Sequence, residues 1–163
     1  MSQTDELLSH AENYAKDFDK GDVPRPPRRK VAIVACMDAR LSPFALFGLE
    51  VGDAHVIRNA GGVVTEDGIR SLAISQRLLG TEEIILIHHT DCGMLTFSDD
   101  EFRQSIFEDT GIKPGWPAES FSNVDDDLRQ SLARINASPF IPHKDSVRGF
   151  VYEVETGRLR EVQ

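Results

Sequence analysis

The sequence is poor in the features that mark specialised classes. Only two of its 163 residues are cysteines, too few for a disulfide framework. Its longest uninterrupted apolar run, residues 31–37, falls far short of the ~20 residues that cross a bilayer. Positive charge is in the minority. Lys and Arg number 18 against 27 Asp and Glu, a net charge of −9, so the basic footprint of a nucleic-acid or anionic-membrane binder is absent. The opening residues, Met1-Ser2-Gln3-Thr4-Asp5-Glu6, lack the basic and apolar regions of an export signal, and the expected location is the cytoplasm. No repeat or low-complexity tract is present.

What is there reads as a soluble, folded chain, with 40% hydrophobic and 28% charged residues. Its length suits one domain, expected over 1–163. Leu7, Leu8, Ala11, Tyr14, Ala15 and Phe18 recur at helical spacing, which predicts an arm helix over 1–20 with Thr4 or Asp5 as N-cap. Its apolar stripe must pack on the body or on a partner chain. Residues 21–29 form a linker whose three prolines forbid helix. The body, 30–163, alternates strand and helix signals.

Strands are expected at 31–35, 54–58, 83–88 and 149–154, with a turn at Glu155-Thr156-Gly157 leading to a last segment at 158–162. Helices are expected from Ser42-Pro43 to about residue 49, over 66–79, from the Ser98/Glu101 capping box to about 109, and from a Ser122 cap through 137. The alternation implies an α/β fold, a mainly parallel β-sheet flanked by α-helices on both faces.

Two segments with chemical potential each follow a predicted strand. One is Cys36-Met37-Asp38-Ala39-Arg40; the other is His88-His89-Thr90-Asp91-Cys92-Gly93. In open α/β sheets, ligands bind beyond the carboxyl ends of the strands, so one site can collect Cys36, His89 and Cys92. Cys2His is a known ligand set for catalytic zinc, with a fourth position open, and thiolates select zinc over magnesium or calcium. Competing readings stay open. A cysteine after an apolar strand is commonly a small buried hydrophobe, and a Cys/His pair also serves as nucleophile and base. His88 must point away from its neighbour and reads as a packed residue, while His10, His55 and His143 read as structural or solvent-facing.

Asp38 and Arg40, two apart, can lie on one side of an extended segment, where a directional Arg–carboxylate pair would hold Asp38 ionised near the metal. Arg58-Asn59-Ala60-Gly61-Gly62 follows the second strand. Its glycines allow a tight turn or close backbone approach, and it is not the three-glycine dinucleotide fingerprint.

Together, Cys36-x-Asp38-x-Arg40, the 58–62 turn and His89-x-x-Cys92-Gly93 resemble the signatures of the β-class carbonic anhydrases, in the same order and over about residues 30–155, with a likeness to short actinobacterial members. The resemblance implies zinc, one per chain, held by Cys36, His89 and Cys92. It implies Asp38 and Arg40 as the catalytic dyad, and Asn59, Ala60, Gly61, Gly62 and Gly93 as substrate-pocket and turn residues. The implied reaction is reversible hydration of carbon dioxide to bicarbonate and a proton by zinc-bound hydroxide. The implied assembly is a homodimer, or a tetramer of such dimers, with the arm helix laid over the partner. Zinc lowers the pKa of bound water from 15.7 to about 7 in three-histidine sites, and two thiolates should make that water less acidic. Asp38 can also take the fourth zinc position and switch the site off. Two alternatives remain: hydrolysis of carbonyl sulfide or carbon disulfide at the same zinc, and a non-catalytic structural zinc dimer with Asp38 as the fourth ligand.

Overall fold

The structure, a computed structural model, describes residues 2–163. It contains a five-stranded sheet of β1 (Val31–Cys36), β2 (Ala54–Asn59), β3 (Glu83–His89), β4 (Val147–Tyr152) and β5 (Leu159–Val162) in the order β2-β1-β3-β4-β5. The first four strands are parallel and β5 runs antiparallel to β4. Helices α1 (Gln3–Lys16), α2 (Pro43–Phe47), α3 (Glu66–Leu79), α4 (Asp99–Thr110) and α5 (Val124–Ala137) complete the chain. The expected α/β class is therefore observed.

The central strands are apolar throughout because both faces of the sheet are covered. Along β1 the side chains alternate between two cores. Ala32 and Val34 pack with Leu72 of α3 and with Leu128 and Ile135 of α5. Ile33 and Ala35 pack on the other side with Leu41 and, from α2, Leu46 and Phe47. The two faces differ in kind: long helices cover one, while a short helix and connecting loops cover the other. On the helical side Gly149 lets α5 come close, since a Cβ there would stand 3.0–3.1 Å from Leu128 and Leu132 carbons.

Several boundaries move. β1 and β3 each run one residue further than expected, which makes Cys36 and His89 their last residues. β4 begins at Val147, not 149, and ends at Tyr152. The N-cap of α5 is Asn123, not Ser122; its side chain accepts from the Asp126 N–H at 3.0 Å. The arm helix spans Gln3–Lys16 rather than 1–20, with Phe18 past its end and Met1 outside the described residues. Its cap is Ser2, not Thr4 or Asp5. Asp5 instead completes a capping box by accepting from the Ser2 N–H at 2.8 Å.

The linker ends on a buried carboxylate. Asp53 accepts from Arg28 Nε at 2.9 Å and from the Glu50 N–H at 3.0 Å, with Arg29 Nε at 3.2 Å. The Glu50 N–H and the two guanidinium groups pull its pKa down to about 2. A carboxyl whose folded pKa is depressed stabilises the fold above its unfolded pKa and loses that contribution as the pH falls through the folded one. Asp53→Asn should lower the urea midpoint at neutral pH, and the gap to wild type should shrink between about pH 4 and pH 2, as equilibrium unfolding across that range would show.

Candidate metal centre

The order β2-β1-β3-β4-β5 places the reversal of winding between β1 and β3, the point where open α/β sheets bind ligands. Cys36 closes β1 and His89 closes β3, with the strands in register at Ala35 and Ile87. Cys92 follows at the start of a 3-10 turn, Gly93–Leu95. The three side chains are buried, and their donor atoms lie within 4.8 Å of one another. The two Sγ atoms are 4.0 Å apart. Thiolates at about 2.3 Å on one tetrahedral zinc would stand about 3.8 Å apart.

His89 is fixed for the same task. Its Nδ1 lies 2.7 Å from the Thr90 carbonyl, which can only accept, so Nδ1 carries the proton and Nε2 keeps its lone pair. Nε2 is buried with no partner in the protein. A buried polar atom without a partner is costly, and this one faces two thiols. The donor set therefore fits a zinc ion. The contact between the two sulfurs lowers the Cys36 pKa and pushes Cys92 up. Burial works against charge on His89, but the Cys36 thiolate and the Thr90 carbonyl outweigh it and raise its pKa.

Asp38 and Arg40 do pair, though in a turn rather than an extended segment. Asp38 Oδ1 accepts from the Arg40 N–H at 2.9 Å and from Nε at 3.0 Å, and Oδ2 accepts from Nη2 at 2.8 Å. The guanidinium hydrogen bonds hold Asp38 well below the usual carboxylate range, and Asp38 raises Arg40 in return. Asp38 Oδ2 also lies 3.6 Å from His89 Nε2, which sets the dyad beside the donor set.

Sequence reasoning left Arg58 in its turn without a role. Its side chain donates to the carbonyls of Cys36 (2.7 Å), Asp38 (2.8 Å) and Leu41 (2.7 Å), gathering the loop that carries the dyad. A basic residue beside a glycine pair carries no signal of that role. Asn59 donates through Nδ2 to the Val63 carbonyl at 2.8 Å, and its Oδ1 is buried without a partner. Ala60–Gly62 form a 3-10 turn in which Gly61 and Gly62 take φ of 82° and 68°. A Cβ on Gly62 would stand 2.8 Å from both the Cys36 nitrogen and the Ile87 oxygen, so only glycine allows this third segment to rest against both ligand-bearing strands. Gly93 opens the turn after Cys92. His88 is packed as expected. It is fully buried, lies 2.7 Å from Asp127 Oδ2 and stacks on Phe121. His55 pairs with Ser75 Oγ at 2.7 Å, away from the site.

Comparison with known proteins agrees with this geometry. A family model described as carbonic anhydrase matches residues 31–113. Beta-carbonic anhydrase 1 of Mycobacterium tuberculosis is 58% identical over 162 residues, spanning 99% of both chains. The carbon disulfide hydrolase of Acidianus sp. is 35% identical, over 96% of this chain and 87% of that protein. Among solved structures, the carbonic anhydrase of Streptococcus mutans superposes with a TM-score of 0.93 at 41% identity, covering 100% of this chain and 99% of that one. The chain thus belongs to the β-class carbonic anhydrase family, which makes it an enzyme of the lyase class, a carbonate dehydratase. No helix among the described residues is long and apolar enough to cross a membrane.

Iodoacetamide should modify Cys36 and Cys92 in zinc-free protein, and saturation with zinc should protect both, because a thiolate bound to metal is withdrawn from alkylation. Peptide mass spectrometry reads both sites.

Proposed function

We propose that this chain catalyses the reversible hydration of carbon dioxide to bicarbonate and a proton, with one zinc ion per chain held by Cys36, His89 and Cys92. The observation that carries the reading is the convergence of three buried donors, one an unpartnered imidazole nitrogen, beside a carboxylate gripped by arginine. When bound, zinc supplies a Lewis acid that makes a water nucleophilic near neutral pH. The Asp38 carboxylate, kept ionised by Arg40, can only accept hydrogen bonds. There it would accept a hydrogen bond from the attacking oxygen and so orient a lone pair toward the substrate carbon. Arg58 keeps that carboxylate in place by gathering the 36–41 loop. Asn59, Ala60, Gly61, Gly62 and Gly93 supply the backbone rim, closely packed at Gly61 and Gly62 and open at Gly93. Gly61 lies so near Met94 and Phe121 that a Cβ would stand 3.0–3.2 Å from their carbons.

The test is stopped-flow carbon dioxide hydration from about pH 6.5 to 9, with metal content measured on the same sample. Turnover by zinc-loaded protein is expected. Asp38→Ala should keep its zinc yet slow hydration about 100-fold, and Cys92→Ser should lose zinc and activity together. Because relatives at 35% identity are named carbon disulfide hydrolases, the same sample is offered carbonyl sulfide and carbon disulfide. Zinc at full occupancy with no carbon dioxide turnover at any pH would overturn the reading. Turnover of the sulfur compounds alone would then name the substrate, and turnover of none would mark a closed structural site.

We further propose that the enzyme works as a homodimer in the cytoplasm. The arm helix buries none of its residues, and Leu7, Leu8 and Tyr14 lie exposed. A groove of about 720 Å³ lined by Val64, Ile69, Ala73, Ile74 and Phe140 offers an apolar surface of matching character. A second copy of this chain brings arm and groove in equal number, as a two-fold interface requires. Two unpaired thiol ligands suit a reducing compartment. Sedimentation velocity should show a dimer, and deletion of residues 2–20 should weaken it. A monomeric intact chain would refute this assembly.

A further inference from the structure

Asp91 stands between the two ligands of the second motif, His89 and Cys92, and its backbone has a φ of 51°. That left-handed conformation strains a residue other than glycine, though aspartate and asparagine tolerate it best. The side chain is 79% exposed, so burial does not account for its placement. Its contacts do. Arg40 Nη1 donates to Asp91 Oδ2 at 2.8 Å, and Nη2 donates to the Asp91 carbonyl at 2.9 Å. The adjoining edge of the same guanidinium, which shares Nη2, grips Asp38 through Nε and Nη2 at 3.0 and 2.8 Å. A planar fork held along both edges cannot rotate without breaking charged hydrogen bonds. A single strained residue thus offers a carboxylate and a carbonyl to one guanidinium.

The consequence falls on Asp38, which has two places to go. Its Oδ2 lies 2.8 Å from Arg40 and 3.6 Å from His89 Nε2, the atom whose lone pair would face a metal. Arg40 and the metal therefore compete for one carboxylate. Arg40 is itself 48% exposed, so without Asp91 only its bonds to Asp38 keep the guanidinium out of solvent, and when it swings away Asp38 keeps the Arg40 backbone N–H alone.

We infer that Asp91 is a positioning residue that latches Arg40, so that Asp38 stays on the guanidinium and the fourth metal position stays open to an external ligand. This rests on the metal reading of the site given above. Asp91 touches neither metal nor substrate; it acts through Arg40 on Asp38.

The test uses cobalt(II)-loaded protein titrated with azide at one fixed alkaline pH, followed by visible absorption. The proteins are wild type, Asp91→Asn and Asp91→Gly, each also in an Asp38→Ala background. Asparagine keeps the tolerance for left-handed backbone while removing the charge, and glycine removes the side chain without strain. Azide binding should weaken about two- to fivefold in the Asp91 variants, the range that an exposed ion pair supplies, because Asp38 now competes for the same position. In the Asp38→Ala background the Asp91 changes should have no effect. Unchanged azide affinity in both variants would overturn the latch, as would an equal loss with and without Asp38, which would mean that Asp91 acts through the Cys92 backbone. Wild-type protein that takes up no cobalt, or whose spectrum ignores azide, would instead defeat the metal reading and the latch with it.

Discussion

Everything at this site depends on β1 and β3 lying side by side. Cys36 and His89 are far apart in sequence, yet each is the last residue of its strand, and those strands are neighbours in the order β2-β1-β3-β4-β5. Parallel strands that end together release their chains on the same side of the sheet, and the winding reverses there, so no crossover helix fills the gap. Three donors arrive at that gap from two backbones. The glycine turn after β2 arrives as a third, in contact with both. Had β1 run antiparallel to β3, Cys36 would lie at the opposite end of the sheet and the donor set would not exist.

Burial then sets the electrostatic terms. Two thiols and an imidazole in a water-poor pocket cannot all ionise without a counter-charge. The Cys36–Cys92 contact lowers the pKa of one thiol at the expense of the other. A divalent cation resolves that arrangement. It also gives His89 Nε2 the partner that the protein withholds. Asp38 stands just outside, kept ionised by guanidinium hydrogen bonds rather than by the metal. The site therefore divides its carboxylate from its ligands through the geometry of one arginine.

Much of this was legible in the sequence. The apolar run of β1, the capping box of α4 and the helical period of α3 each announce themselves in the sequence. The spacing of Cys36, His89 and Cys92 after predicted strands was enough to assemble the donor set, and Asp38 with Arg40 was readable as a pair. Other features were not. The caps of α1 and α5 fell on Ser2 and Asn123 because several neighbouring polar residues could serve and only backbone geometry chooses among them. The Asp38–Arg40 segment folds as a turn because Arg58, eighteen residues beyond Arg40, gathers three carbonyls there. No local pattern encodes a contact of that kind. Asp91 was quoted within its motif, but its bond to Arg40 crosses 51 residues and exists only once the two strand ends meet.

The buried carboxylate of Asp53 has a consequence for how such a chain can diversify. By binding Arg28 and Arg29, it fixes the point at which linker becomes body. Upstream of that anchor, no described residue supplies a donor or a loop contact to the metal site. Composition can therefore drift at the exposed positions between residues 17 and 26 with the chemistry unaffected, while Val23 against Gly52 and the buried Pro27 tie the end of the linker to the body, and downstream of Arg29 the strand that carries Cys36 begins almost at once. One ion-paired aspartate thus separates the part of the sequence free to explore new associations from the part held to a single geometry.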